Sequence, residues 1–158
     1  MCSLSNEITH PTVDVDTVRS KIKDDSLRLI DVRREEDYNK GHIPNAVNLP
    51  LASLLSDDSP ESVVKLAEDM GIADNTQVVV YDDTFGALAS RVAWTLQYIG
   101  HDNVALLEVT YSQWKELGLK TSNEKPNIKP AKHSLNLKPN IMATAEYLEK
   151  AKEKENVV

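Results

Sequence analysis

The residues best placed to do chemistry follow the run Val78-Val79-Val80-Tyr81, which passes directly into Asp82-Asp83-Thr84-Phe85-Gly86. A β-branched run of this length reads as a strand, and a tight polar loop leaving the C-terminal end of such a strand is a candidate site. The carboxylate of Asp82 could accept N–H bonds at the start of the next helix and oppose the positive end of its dipole, worth roughly 0.3 to 1 kcal/mol when exposed. A nucleophilic thiol could come only from Cys2, the single cysteine. It excludes an internal disulfide and a cysteine-based zinc site. His42, in Gly41-His42-Ile43-Pro44, has the chemistry of a ligand or general base. No Cys, His or carboxylate cluster stands beside it, so the turn reads as structural, with Gly41 expected to relieve backbone strain and Pro44 holding Ile43 extended.

The elements that must position these residues follow from hydrophobic spacing. Val15, Val18 and Ile22 recur at helical period over residues 13–23, with Asp14 or Asp16 as cap. Residues 27–32 form a compact apolar run broken by the charged segment 33–37, and 46–49 form a brief strand followed by an exposed Ser- and Asp-rich connection. Ser59-Pro60-Glu61 opens a helix that ends at Gly71. Residues 77–81 are the expected central strand, and Ala89, Val92, Ala93, Leu96 and Ile99 line a helix stopped by Gly100. A strand at 104–107 and a short helix at 111–117 complete the pattern. Alternation of this kind predicts an α/β domain with a parallel sheet of about five strands and helices on both faces. Trp94 and Trp114 are expected in the core or at an interface.

Residues 119–139 contain Pro126, Pro130 and Pro139 among many Lys and Asn, which suits an extended linker. Beyond it, residues 141–158 resemble residues 13–29 when shifted by 129 positions: Met142 answers Val13, Tyr147 answers Val18, Ala151 answers Ile22 and Val158 answers Leu29. The chain is therefore expected to divide into an arm at 1–12, a domain at 13–118, a linker at 119–140 and the start of a second, similar domain at 141–158. The net charge of −7 opposes binding to nucleic acid or to an anionic membrane, and no apolar stretch approaches the roughly 20 residues of a membrane span. A cytoplasmic, reducing location is expected.

Several signals occur in order: Leu29-Ile30-Asp31-Val32-Arg33, then Tyr38 to Ala46 around Gly41-His42-Ile43-Pro44, then Val78-Val79-Val80-Tyr81-Asp82. Together they resemble the rhodanese family. The stretch 86–94, Gly100-His101 and Trp114-Lys115-Glu116-Leu117-Gly118 more narrowly resemble the first domain of tandem thiosulfate sulfurtransferases. In an active rhodanese the loop after the central strand begins with a cysteine, and its backbone N–H groups form an anion cradle that lowers the thiol pKa. The matching position here is Asp82, which cannot carry a sulfane sulfur. The resemblance thus implies a silent domain, its cradle formed by Asp82, Asp83, Thr84, Phe85, Gly86 and Ala87, with Asp31, Arg33 and His42 as structural support. Arg91 becomes a candidate for substrate or interdomain contact, or else a solvated or cap-pairing arginine.

The implied partners are a second rhodanese domain in cis and a small anionic sulfur substrate, with no cofactor and no metal, and with homodimerisation possible through the face turned to the second domain. One departure stands out. Where the family usually has a Gly-Gly pair before the aromatic helix, this chain has Val109 and Thr110, which resist positive φ. Asp14-Val15-Asp16-Thr17-Val18 fits an aspartyl phosphohydrolase pattern literally, but that chemistry needs the aspartates after a buried strand, and Pro11-Thr12-Val13 does not read as one. A related phosphatase would need a cysteine at Asp82. The remaining alternative is a stand-alone, non-enzymatic rhodanese-like binding module.

Overall fold

The computed structural model describes residues 11–24 and 26–137. Cys2 and the proposed second-domain start lie outside them. Five strands form one parallel sheet: β1 (Thr12–Val13), β2 (Leu27–Asp31), β3 (Val47–Asn48), β4 (Gln77–Tyr81) and β5 (Val104–Leu107), in the order β1-β5-β4-β2-β3. Among the described residues six helices accompany them: α1 (Val15–Lys21), α2 (Glu35–Lys40), α3 (Leu51–Ser56), α4 (Pro60–Asp69), α5 (Ala87–Tyr98) and α6 (Tyr111–Glu116).

The alternation of side chains along each strand divides the core in two. Ile30, Val78 and Val80 pack with residues of α3, α4 and α5, whereas Leu29, Val79 and Tyr81 pack with Val18 of α1, Tyr38 of α2 and Trp114 of α6. Val78, Val79 and Val80 are all fully buried, because both faces of β4 are covered. Burial of each such side chain contributes about 1.5 to 3 kcal/mol. This explains why the run is continuously apolar rather than alternating. Asp14 caps α1 by accepting the Thr17 N–H at 2.7 Å, and Ser59 caps α4 ahead of Pro60.

Several expectations are corrected. Val13 belongs to a short edge strand rather than to the first helix, because it pairs with Leu107 and its carbonyl accepts the Glu108 N–H. The charged segment beginning at Arg33 turns into α2, whose acidic first turn and terminal Lys40 suit the helix dipole. The Ser- and Asp-rich connection holds α3, anchored by the buried Leu54. Gly41 has φ 165° and ψ 145°, an extended backbone that any residue adopts. What excludes a side chain there is space: a Cβ would lie 2.8 Å from the Tyr111 hydroxyl oxygen. Ahead of α6, neither Val109 nor Thr110 adopts positive φ. A capping box closes the turn instead, with Thr110 and Gln113 each accepting the other's backbone N–H through their side chains. Trp114 is buried, while Trp94 is half-buried and stacked on Tyr98.

Residues 119–137 contain neither helix nor regular strand, yet they lie against the domain. Ser122 exchanges both backbone hydrogen bonds with His42. Further along, His101 and His133 meet with Nδ1 of the first 2.9 Å from Nε2 of the second. The Nε2 of His101 lies 2.8 Å from the Thr76 carbonyl oxygen, which can only accept, so it carries the proton and leaves Nδ1 as acceptor. His133 Nε2 faces that acceptor, and its Nδ1 lies 2.6 Å from the Ser134 carbonyl oxygen and 3.6 Å from the Asp74 carboxylate. Burial, and then the neighbouring His133, push the His101 pKa below its usual value. Its contribution to stability is therefore full above the unfolded pKa and is lost as pH falls through the lower folded value. The difference in urea unfolding free energy between wild type and His101→Gln is expected to shrink between about pH 7.5 and about pH 5. An unchanged difference would show that the neutral ring is not what fastens this segment.

No helix among the described residues is long and apolar enough to cross a membrane.

Candidate functional site

The loop at 82–86 leaves the C-terminal end of β4, the middle strand of the sheet, and enters α5 through Gly86 at φ +94°. No side chain at that N-cap position satisfies the first N–H groups of the helix. Asp82 does so from four residues upstream. One carboxylate oxygen accepts the N–H groups of Thr84 and Gly86, each at 3.0 Å. The other accepts the N–H groups of Leu88 at 3.0 Å and Ala89 at 2.8 Å, and the Thr84 hydroxyl at 2.9 Å. Asp82 is only 3% exposed, and burial on its own would raise its pKa. The hydrogen bonds from Ala89, Gly86 and Thr84 outweigh that cost and hold the carboxyl below its ordinary value.

Other loop residues have different tasks. The Asp83 carboxylate accepts the N–H and hydroxyl of Ser112, tying the loop to the first turn of α6, while the Asp82 carbonyl accepts the Tyr111 N–H. Phe85 stands at φ +56° with its side chain 83% exposed. The Ala87 N–H turns to the Thr84 carbonyl. Leu88 and Ala89 are donors that the sequence reading did not include. Their signal was available, since the first turn of any helix leaves N–H groups without intrahelical partners.

Below the loop lies a second polar cluster. The carboxylate of Asp31, fully buried at the end of β2, receives the Arg33 backbone N–H at 2.9 Å, its Nη2 at 2.7 Å and the Tyr81 hydroxyl at 2.7 Å. Arg33 also donates to the Gly41 carbonyl at 2.6 Å and lies 3.9 Å from the Tyr111 ring centroid. The Tyr81 hydroxyl accepts the Ile43 N–H. Burial and the Asp31 charge raise the Tyr81 pKa well above its usual value, so the phenol stays neutral as a donor. Arg33 keeps its charge because Asp31 offsets the burial that opposes it. His42 is buried, stacked on Tyr38 at 3.9 Å, and its Nδ1 lies 2.9 Å from the Ile43 carbonyl. Asp31, Arg33 and His42 thus meet around residues 41–43, away from the Asp82 carboxylate. Tyr81 and Tyr111 join them, and neither was singled out in the sequence.

Arg91 sits on α5 with its guanidinium 3.5 Å from the Asp58 carboxylate and 5.0 Å from the Trp94 ring centroid. It lines neither of the two clefts that border the loop. Chemically, the loop binds one carboxylate, its own, and the described residues offer no thiol. Replacing Asp82 by Ala leaves the buried N–H of Ala89 and the half-buried N–H of Gly86 without this acceptor. The Asp82→Ala chain is expected to lose about 1 to 3 kcal/mol of stability in urea unfolding. A loss below about 0.5 kcal/mol, the usual range of a surface substitution, would show that the loop does not depend on the carboxylate.

The sequence profile of the rhodanese-like domain family matches residues 14–117. The sulfur carrier protein TtuD of Thermus thermophilus is 31% identical over 137 residues, covering 80% of this chain and 47% of that protein. The 3-mercaptopyruvate sulfurtransferase of the mouse, Mus musculus, is 31% identical over 126 residues, covering 73% and 42% respectively. This chain therefore spans less than half the length of these relatives. Among solved structures, the 3-mercaptopyruvate sulfotransferase SseA of Escherichia coli superposes with a TM-score of 0.71 at 22% identity, over 83% of this chain and 57% of that one. That likeness establishes the fold. With the profile match covering most of the sequence and the Asp82 loop following the middle strand of a parallel sheet, the chain belongs to the rhodanese-like domain family.

Proposed function

We propose that this chain is the catalytically silent N-terminal rhodanese domain of a tandem thiosulfate sulfurtransferase of the cytoplasm. In that reading residues 13–118 are the silent domain, 119–140 the interdomain linker and 141–158 the start of the second domain. The observation that carries it is the Asp82 carboxylate, which takes up the N–H groups of Thr84, Gly86, Leu88 and Ala89. A cradle filled by a covalently attached anion has no room for a persulfide, and a carboxylate oxygen cannot hold a sulfane sulfur. The self-similarity of residues 141–158 to residues 13–29 and the greater length of the relatives support a second domain in cis.

The chemistry proposed for the whole protein belongs to a cysteine of that second domain. Its thiolate attacks the sulfane sulfur of thiosulfate, and the S–S bond breaks with its electron pair leaving on sulfite. The outer sulfur of the resulting persulfide then passes to a thiophilic acceptor such as cyanide, which regenerates the thiolate. The silent domain supplies a wall of the cleft, and Arg91 is proposed to face the interdomain side, where it would meet an anionic substrate once released from Asp58. The alternative, a stand-alone binding module, draws support from the two core clusters that the described residues build around the sheet.

Assay of thiosulfate and cyanide turnover separates active from silent. The chain and its Cys2→Ser variant are expected at background, and Asp82→Cys to gain at most slow turnover, because the loop is shaped around a carboxylate. Turnover by the unmodified chain that disappears in Cys2→Ser would place the chemistry at Cys2 and overturn the silent-domain reading.

A further inference from the structure

Charge is distributed unevenly over this acidic chain. Two adjoining lobes, of about 650 and 630 Å³, share Lys40, Gly41 and Thr121 and form one open groove from Thr84 and Leu88 to Pro126. Their lining takes seven of the chain's 18 Lys and Arg residues but three of its 25 Asp and Glu residues. Eleven cations against 22 carboxylates are left for the rest of the sequence. The groove is thus a basic strip on a protein of net charge −7.

Few of these cations are neutralised locally. Arg33 is held by Asp31, and Arg34 lies 3.4 Å from Asp37. Lys115 lies over the Tyr111 ring at 5.0 Å, which leaves its charge unopposed. Lys23, Lys40, Lys120 and Lys125 form no ion pair among the described residues. Of the three carboxylates, Asp37 is paired with Arg34, and Asp83 is occupied by Ser112. The floor is firm, because the His42 and Ser122 backbones bond across it at 2.7 and 2.8 Å.

We propose that this groove docks a protein partner through a short, extended, carboxylate-rich segment. A small anion would engage one lobe and leave most of the cations unused. A nucleic acid strand would run beyond the groove and be opposed by the net negative charge of the rest of the chain. A short acidic peptide matches both the charge and the limited length of the strip, and salt-sensitive steering of such a partner is the expected behaviour. The inference stands on the groove alone and holds whether or not the chain takes part in sulfur transfer.

The test uses the full chain and a fluorescein-labelled oligoglutamate peptide followed by anisotropy, with an oligolysine peptide and a single-stranded oligonucleotide of equal charge number as comparisons. Binding of oligoglutamate that weakens with added salt is expected, with amide shifts in NMR centred on Gly41, Thr84, Thr121 and Ser122. Lys40→Glu/Lys115→Glu in one lobe and Lys120→Glu/Lys125→Glu in the other should each weaken it by about tenfold or more. Lys65→Glu/Lys129→Glu, the same charge change outside the groove, should alter it by less than about twofold. Absence of binding, equal losses in the control pair, amide shifts elsewhere or tighter binding of the oligonucleotide would each overturn the proposal. Self-association of the chain that oligoglutamate displaces would assign the groove to a second copy and overturn it as well. Unchanged thermal melting of each variant keeps a loss of binding distinct from a loss of fold.

Discussion

A helix that begins directly behind a buried strand brings N–H groups into a place where water cannot reach all of them, and those groups require an acceptor. Here the requirement falls on α5, whose N-cap is Gly86 and offers no side chain. The Asp82 carboxylate meets it with four backbone N–H groups and one hydroxyl. Much of the surrounding structure depends on that arrangement. The Asp82 carbonyl receives α6, Asp83 receives Ser112, and Phe85 turns outward at positive φ so that the chain can double back to Gly86. The same geometry holds the carboxyl below its ordinary pKa despite its burial.

The second support is the Asp31 cluster. A carboxylate that is fully buried would be expensive to ionise alone, but Arg33 and the neutral Tyr81 hydroxyl share it. Through Arg33 and the Gly41 carbonyl, this cluster positions the start of the basic groove, and through Tyr81 and Ile43 it braces the segment that carries His42. Its role is positional, since the Asp31 carboxylate and the Tyr81 hydroxyl are both engaged by the protein itself. The groove's electrostatic character arises farther out, on lysines that form no ion pair among the described residues.

How much of this was legible in the sequence differs between the strands and the site. The strand at 77–81 and the helix after it were readable because burial on both faces leaves a continuous β-branched run, and because Gly100 marks the helix end. Helices α2 and α3 were not, because each has only six residues, with Tyr38 and Leu54 respectively as their buried anchors, too few to establish a period. Strand β1 has two residues and exists through pairing with β5, a contact that no local pattern announces. Asp82 was readable as the residue after the central strand. The donors Leu88 and Ala89 and the Tyr81 and Tyr111 contacts were not, since they depend on how the backbone turns. The space around Gly41 likewise comes from Tyr111, seventy positions away.

The central claim is that the Asp82 carboxylate is ionised and permanently engaged by the loop. Site-resolved NMR titration of its side-chain carboxyl carbon tests it most directly, with the amide nitrogens of Gly86, Leu88 and Ala89 followed in the same samples. The account predicts a midpoint below the ordinary aspartate value of about 3.9, and amide shifts that move with that same midpoint. An ordinary midpoint with amides indifferent to it would contradict the account, since the carboxylate would then be a solvated side chain and the cradle would be open to another anion.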